Sequence, residues 1–267
     1  MEAAALRRFV RPGLCCGPLH RTGRPRAAAA LRHHRQRLPG GRSAQPGQGT
    51  FQNILSWTRS RSGEWEANFT QEWPALVTRH QLSHSLPLSG GAGARAHFGS
   101  VQVNYRYQAA NEGPRNPAFA PRVSVILPTG PRDDGRDRPG FQVNLPISKQ
   151  RGRLYLHGNA GLTWLHAVPI GMNRTATLTS PHVAASLVWN ARPLFNVLTE
   201  TVLLLDDNGV NHTAIMTLSP GFRAGWNLRD KREIVVGGAI PTTVDANETS
   251  VAVLGYLSYE LAFRTHR

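Results

Sequence analysis

Stretches of about ten residues in this chain alternate strictly between apolar side chains and small or hydrogen-bonding ones. In Val101-Gln102-Val103-Asn104-Tyr105-Arg106-Tyr107-Gln108 the odd positions are apolar or aromatic and the even positions polar, which in a pleated strand puts one set on each face. Phe141-Gln142-Val143-Asn144-Leu145 repeats the pattern. Met216, Leu218, Phe222 and Trp226 share one face against Thr213, Thr217, Ser219 and Arg223 on the other, and Trp65, Ala67 and Phe69 oppose Glu64, Glu66, Asn68, Thr70 and Glu72. Gly, Pro, Asn and Asp clusters punctuate these runs. The spacing predicts about twelve strands, at 52–60, 63–72, 78–88, 95–109, 119–128, 140–149, 153–165, 180–191, 193–206, 211–226, 231–240 and 249–263, with Arg61-Ser62-Gly63 as a tight turn.

An alternating strand belongs equally to a soluble sandwich and to a membrane barrel, so the polar face has to decide. Soluble surfaces are rich in Lys and Glu. Here the polar faces carry Gln, Asn, Thr, Ser and Arg, and the only lysines are Lys149 and Lys231. Aromatics such as Trp57, Trp73, Trp164, Trp189 and Tyr259 fall near strand ends or on apolar faces, as membrane girdles do. No stretch approaches the roughly 18 consecutive apolar residues of a helical span, a test that alternating strands escape. Connection lengths alternate too: 128–139 and 166–179 long, 150–152 and 191–193 short, 206–210 intermediate, 227–230 short, 241–248 longer. The expected fold is therefore all-β: a single antiparallel up-and-down transmembrane β-barrel of about twelve strands over residues 50–267, with both termini on the periplasmic side.

The formal charge of +15 suggests nucleic acid until it is divided along the chain. Residues 1–49 hold ten arginines against Glu2, a net +9, and the other +6 is interleaved with carboxylates over the remaining residues. That spread, without lysine clusters or stacking aromatics, argues against nucleic acid as a partner. The segment 1–49, rich in Arg, Pro, Ala and Gly, shows no basic-apolar-small order of a secretion signal and is expected to be disordered or non-native, the native signal having been lost. Cys15 and Cys16 both lie in it, leaving the body without thiols.

The inward polar faces supply the candidate site: Glu66, Glu72, Gln102, Asn104, Arg106, Arg122, Gln142, Asn144 and Arg223, with Glu64, Glu200, Glu260 and Arg79 predicted on the same faces. Opposite charges in a lumen form either a constriction that selects solutes or a set of ion pairs that fills a narrow interior. His80 and His84 share a face but lack the further ligands that zinc requires, and Gly90-Gly91-Ala92-Gly93 reads as a flexible turn. No metal, cofactor or catalytic group is expected. In the last strand Val253, Gly255, Leu257, Tyr259, Leu261 and Phe263 share one face and end on an aromatic, similar to strands that barrel-assembly machinery reads, although Arg264 to Arg267 extend beyond it.

The run Asn116-Pro117-Ala118-Phe119-Ala120-Pro121-Arg122-Val123-Ser124-Val125-Ile126-Leu127-Pro128-Thr129-Gly130 resembles a family of bacterial outer-membrane proteins labelled as transporters of the meta-pathway of phenol degradation. The similarity continues at Gly140 to Pro146, Ala191 to Asn196 and Leu218 to Arg223, and upstream at Gln71 to Pro74 and Thr78 to Ser83, so it covers about residues 50–263. It implies a barrel in the bacterial outer membrane, in contact with its lipid, acting as a porin-like passive channel or transporter for small solutes, aromatic ones among them. The alternatives are a structural or assembly-related barrel without transport, or a barrel-embedded lipid-modifying enzyme.

Overall fold

The computed structural model describes residues 50–75, 79–91, 94–130, 138–171, 174–228, 233–246 and 248–262. The expectations for residues 1–49, for Phe263 and for most of the charged 128–139 connection lie outside them. Fifteen strands form: β1 (Thr50–Ser60), β2 (Trp65–Ala75), β3 (His80–Gly91), β4 (Ala94–Phe98), β5 (Val101–Tyr107), β6 (Ala118–Phe119), β7 (Arg122–Leu127), β8 (Gly140–Arg151), β9 (Leu154–Gly171), β10 (Arg174–Arg192), β11 (Phe195–Asp207), β12 (His212–Asn227), β13 (Glu233–Ala239), β14 (Thr242–Val244) and β15 (Thr249–Ala262). Each pairs antiparallel with its neighbours, and β1 pairs with β15 from Thr50↔Ala262 to Ser60↔Ala252, closing a barrel of twelve strands without helices.

Fifteen segments make twelve staves because three are interrupted. β4 and β5 are one stave broken at Gly99-Ser100, β6 and β7 one broken at Ala120-Pro121, and β13 and β14 one broken at Ile240-Pro241. A proline has no N–H to give the ladder. Its carbonyl still accepts, from Tyr107 N at Pro121 (3.0 Å) and from Ala252 N at Pro241 (2.9 Å), so the wall stays closed across both breaks.

Burial along the staves is inverted relative to a soluble protein. In β8, Phe141 is 51% and Leu145 45% exposed while Asn144 between them is 2% exposed. Outward apolar and inward polar residues repeat around the wall, which only a surrounding hydrocarbon phase makes favourable.

The wall is uneven in height. β1 and β2 have 11 residues each, β9 has 18 and β10 19. The expected loop at 166–179 is thus mostly strand. Ala167 takes a left-handed φ of 53°, and the β9/β10 register shifts between Ala176 and Leu178. Such bulges reset the side-chain alternation, so a strict period-2 reading loses the strands there. Beyond the bulge Val168 and Leu178 turn inward and are buried. Asp207 ties the hairpin to the next one, accepting from Thr179 N and Gly209 N at 2.8 Å each.

The turn after β1 forms as expected, with Gly63 at φ 89° and its N–H on the Ser60 carbonyl. Beside it, partial burial and then the nearby Glu248 push the Glu64 carboxyl above its ordinary range. A carboxyl raised in the folded state contributes stability below its unfolded pKa and loses it as pH rises through the folded value. Glu64→Gln is therefore expected to raise the urea midpoint at pH 7 and leave it unchanged near pH 4; an equal effect at both would show that Glu64 acts through something other than its charge. The gain is small because the group is only half-buried, at a turn where solvent still screens its charge.

Candidate functional site

Antiparallel partners pair residue for residue, so inward side chains fall in rows running across the wall at right angles to the strands. One row reads Gln52, Glu72, Ser83, Asn104, Ser124, Gln142, Thr163, Ser180 from β1 to β10. The next, toward the end of the barrel where Thr50 and Ala262 pair, reads Gln81, Arg106, Arg122, Asn144, Gly161, His182. Every member of the first row is polar, and in the second only Gly161 lacks a polar side chain. A third row, nearer still to that end, is Ser148, His157, Ser186, Glu200, Ser219.

Hydrogen bonds run within and between these rows. Gln81 Nε2 donates to Glu72 Oε2, linking the first row to the second. Asn104 Nδ2 donates to Ser83 Oγ at 3.3 Å and Gln142 Nε2 to Thr163 Oγ1 at 2.9 Å. Asn144 Oδ1 accepts from Asn159 Nδ2 and from His182 Nε2, both at 3.0 Å. That last pair spans the intervening strand because residue 161 is glycine: a Cβ there would lie 2.5 Å from His182 Nε2 and 2.8 Å from Asn144 Oδ1. Ser148 Oγ and His157 Nδ1 are 2.7 Å apart.

All nine candidate residues face inward, but only seven gather together, and Glu66 and Arg223 stand apart from them and from each other. Arg106 and Arg122 are direct cross-strand partners, and Asn144 is next in the row. Glu72, Asn104 and Gln142 occupy the adjoining row, with Gln102 two residues beyond Asn104 on β5. Glu66 sits six residues along β2 from Glu72, about 20 Å by strand rise, opposite Thr58 and Ser89. Arg223 lies on β12 with its guanidinium 4.8 Å from the centre of the Tyr256 ring, close enough to Glu200 and His157 for its charge to act on both. Glu200 is 1% exposed and Arg223 6%. Of the other charged positions, Glu260 is the register partner of Gln52, while Arg79 is exposed just before β3.

His80 and His84 point outward instead. His80 Nδ1 is 2.6 Å from Tyr105 Oη and its ring is 5.1 Å from that of Tyr107. His84 lies among Phe69 and Trp73. Among the described residues no cluster of three or more metal-ligating side chains occurs.

The sequence reading missed the composition of the other wall. Val188, Leu198, Val202, Ile215, Val235, Ala239 and Leu254 are buried inward on β10–β15. At these positions both faces of the strand are apolar, so alternation vanishes locally into runs such as Val202-Leu203-Leu204-Leu205, between inward polar residues such as Ser186, Glu200 and Ser219. Those runs were the available signal. The lumen therefore has a hydrogen-bonding wall on β1–β8 and one beyond it in which apolar and polar side chains are mixed.

No family model matches the chain, and no curated protein matches it by sequence. Solved structures match in fold. An outer membrane channel from Pseudomonas putida F1 superposes with a TM-score of 0.62 at 11% identity, over 84% of this chain and 99% of that one. The NanC porin gives 0.56 at 9% identity, over 78% of this chain and all of the porin. At such identities the likeness is one of fold alone, a closed antiparallel barrel.

Proposed function

We propose that this chain is a passive channel of the bacterial outer membrane, admitting small solutes through a narrow lumen lined by its own side chains. The observation that carries this reading is the pair of adjoining polar rows, which line the inside of β1–β8 while the outer face of the same strands is apolar. The family resemblance and the channel fold of the two solved barrels support the same reading. Thr50 and Ala262, the first and last described residues, pair at one end of the barrel, which is then the periplasmic one. A solute would exchange water for Gln102, Asn104, Gln142 and Asn144, with Arg106, Arg122 and Arg223 against Glu66 and Glu72 setting charge preference. The apolar side chains within the mixed wall opposite, Val188, Leu198, Val202 and Ile215 among them, suit solutes with a hydrophobic face, aromatic ones included. β15, with Gly255, Leu257, Tyr259 and Leu261 outward, is the strand that assembly machinery would engage during insertion.

A second reading is favoured by one fact: Thr58, Ser124 and Ser219 are 0% exposed and Ser258 1%, as in an interior that serves only to hold the barrel shut. Planar bilayers separate the two. The purified barrel is expected to give discrete conductance steps; a heat-modifiable, correctly folded barrel that never conducts would establish the structural reading in place of the channel.

A further inference from the structure

The outer face has one interruption in its apolar belt. Asn53 of β1, Gln71 of β2 and His84 of β3 are successive register partners, so they form one row across three strands. Each has outward apolar residues two positions away on both sides: Phe51 and Leu55, Phe69 and Trp73, Leu82 and Leu86. The row thus lies within the belt rather than at its rim. Among the described residues no other amide or imidazole on the outward face is flanked in this way.

Hydrocarbon offers a polar side chain no partner. Gln71 Nε2 donates to Asn53 Oδ1 at 3.0 Å, and this uses the donor of one amide and the acceptor of the other. Asn53 Nδ2 and Gln71 Oε1 are left side by side, a donor next to an acceptor. Such a pair is complementary to itself under a two-fold axis, with Asn53 Nδ2 meeting the partner's Gln71 and the reverse contact following by symmetry. The wall is also low here. β1, β2 and β3 have 11, 11 and 12 residues against 18 and 19 in β9 and β10, so a neighbouring barrel meets no tall hairpin.

From these we propose that the outer face of β1–β3 is an interface between two copies of this chain, with the Asn53–Gln71–His84 row at its centre. Acyl chains would leave the donor and acceptor unanswered, whereas a second copy answers both. Transport by each barrel does not depend on this contact.

The test uses the intact protein in its membrane. A photo-crosslinking residue in place of Leu55, outward beside Asn53, is expected to join two chains, and the same residue in place of Val183 on the far wall to join none. Protein extracted in mild detergent is expected to have the mass of two chains. Asn53→Leu with Gln71→Leu is expected to halve that mass while the heat-dependent gel shift of a folded barrel persists, because leucine suits a lipid face. Single-chain mass for the unaltered protein, crosslinks from position 55 only to lipid or to a different protein, or a two-chain mass that survives the double leucine substitution would each overturn the proposal. Conductance measured on the same samples reports on the channel reading separately.

Discussion

Glu200→Leu is expected to destabilise the folded barrel by about 1–3 kcal/mol, the cost typical of taking a buried polar group away from polar neighbours that cannot reach water instead. Glu200 is 1% exposed, in the row between Ser186 and Ser219, and Arg223 is the cation whose charge acts on it. The ring of Tyr256 covers one face of that guanidinium. Without the carboxyl, a 6% exposed arginine loses a polar neighbour. Solvent cannot take its place at this depth. The converse follows from the same physics: Glu200→Leu combined with Arg223→Met removes both polar heads and should recover part of the stability, since apolar replacement of neighbouring buried polar groups leaves neither of them unsatisfied. Urea unfolding in lipid vesicles, followed by tryptophan emission and by the heat-dependent gel shift, measures all three variants. Destabilisations that simply add in the double variant would show that Glu200 and Arg223 act independently.

The stave count and the facing of most strands were legible because both follow from a period of two and from turn chemistry. β8 is the plainest case: Phe141, Val143, Leu145 and Ile147 are 40 to 51% exposed, and Asn144 is buried among them. The parity of Gln102, Asn104, Arg106, Gln142 and Asn144 needed nothing further. Parity says nothing about register, however. That Arg106 faces Arg122, that Glu66 stands far along β2 from this pair, and that Asn53, Gln71 and His84 align on three strands are products of pairing offsets set by turns and closure. The tall β9–β10 hairpin was hidden for a different reason. One left-handed residue, Ala167, and a slipped register exchange the faces partway along β9, so the two ends of that strand obey opposite alternations. The apolar part of the far wall was hidden because alternation needs contrast, and Val235-Val236 or Leu203-Leu204-Leu205 have none.

Arg106→Ala with Arg122→Ala is expected to move ion selectivity furthest of any lumen substitution. The two arginines are direct cross-strand partners and place two positive charges at one height, beside Asn144 and one row from Glu72. At a distance of ~7 Å and an effective dielectric of ~60, each charge changes the energy of a passing monovalent ion by about 0.8 kcal/mol. Two together amount to a change of roughly tenfold in occupancy, lowered for anions and raised for cations. High salt weakens the effect, so reversal potentials should be read at about 0.1 M, where the screening length is still about 10 Å. The inward carboxylates Glu66 and Glu72 remain in the variant, so its preference is expected to pass to cations rather than merely fade. Arg106→Lys with Arg122→Lys keeps both charges while losing the planar donor geometry. It should hold its selectivity if charge is what the solute senses, and lose it if the guanidinium hydrogen bonds are. Conductance and reversal potential both unchanged in the alanine pair would place the permeation path away from β5 and β7, along the mixed wall of β10–β15.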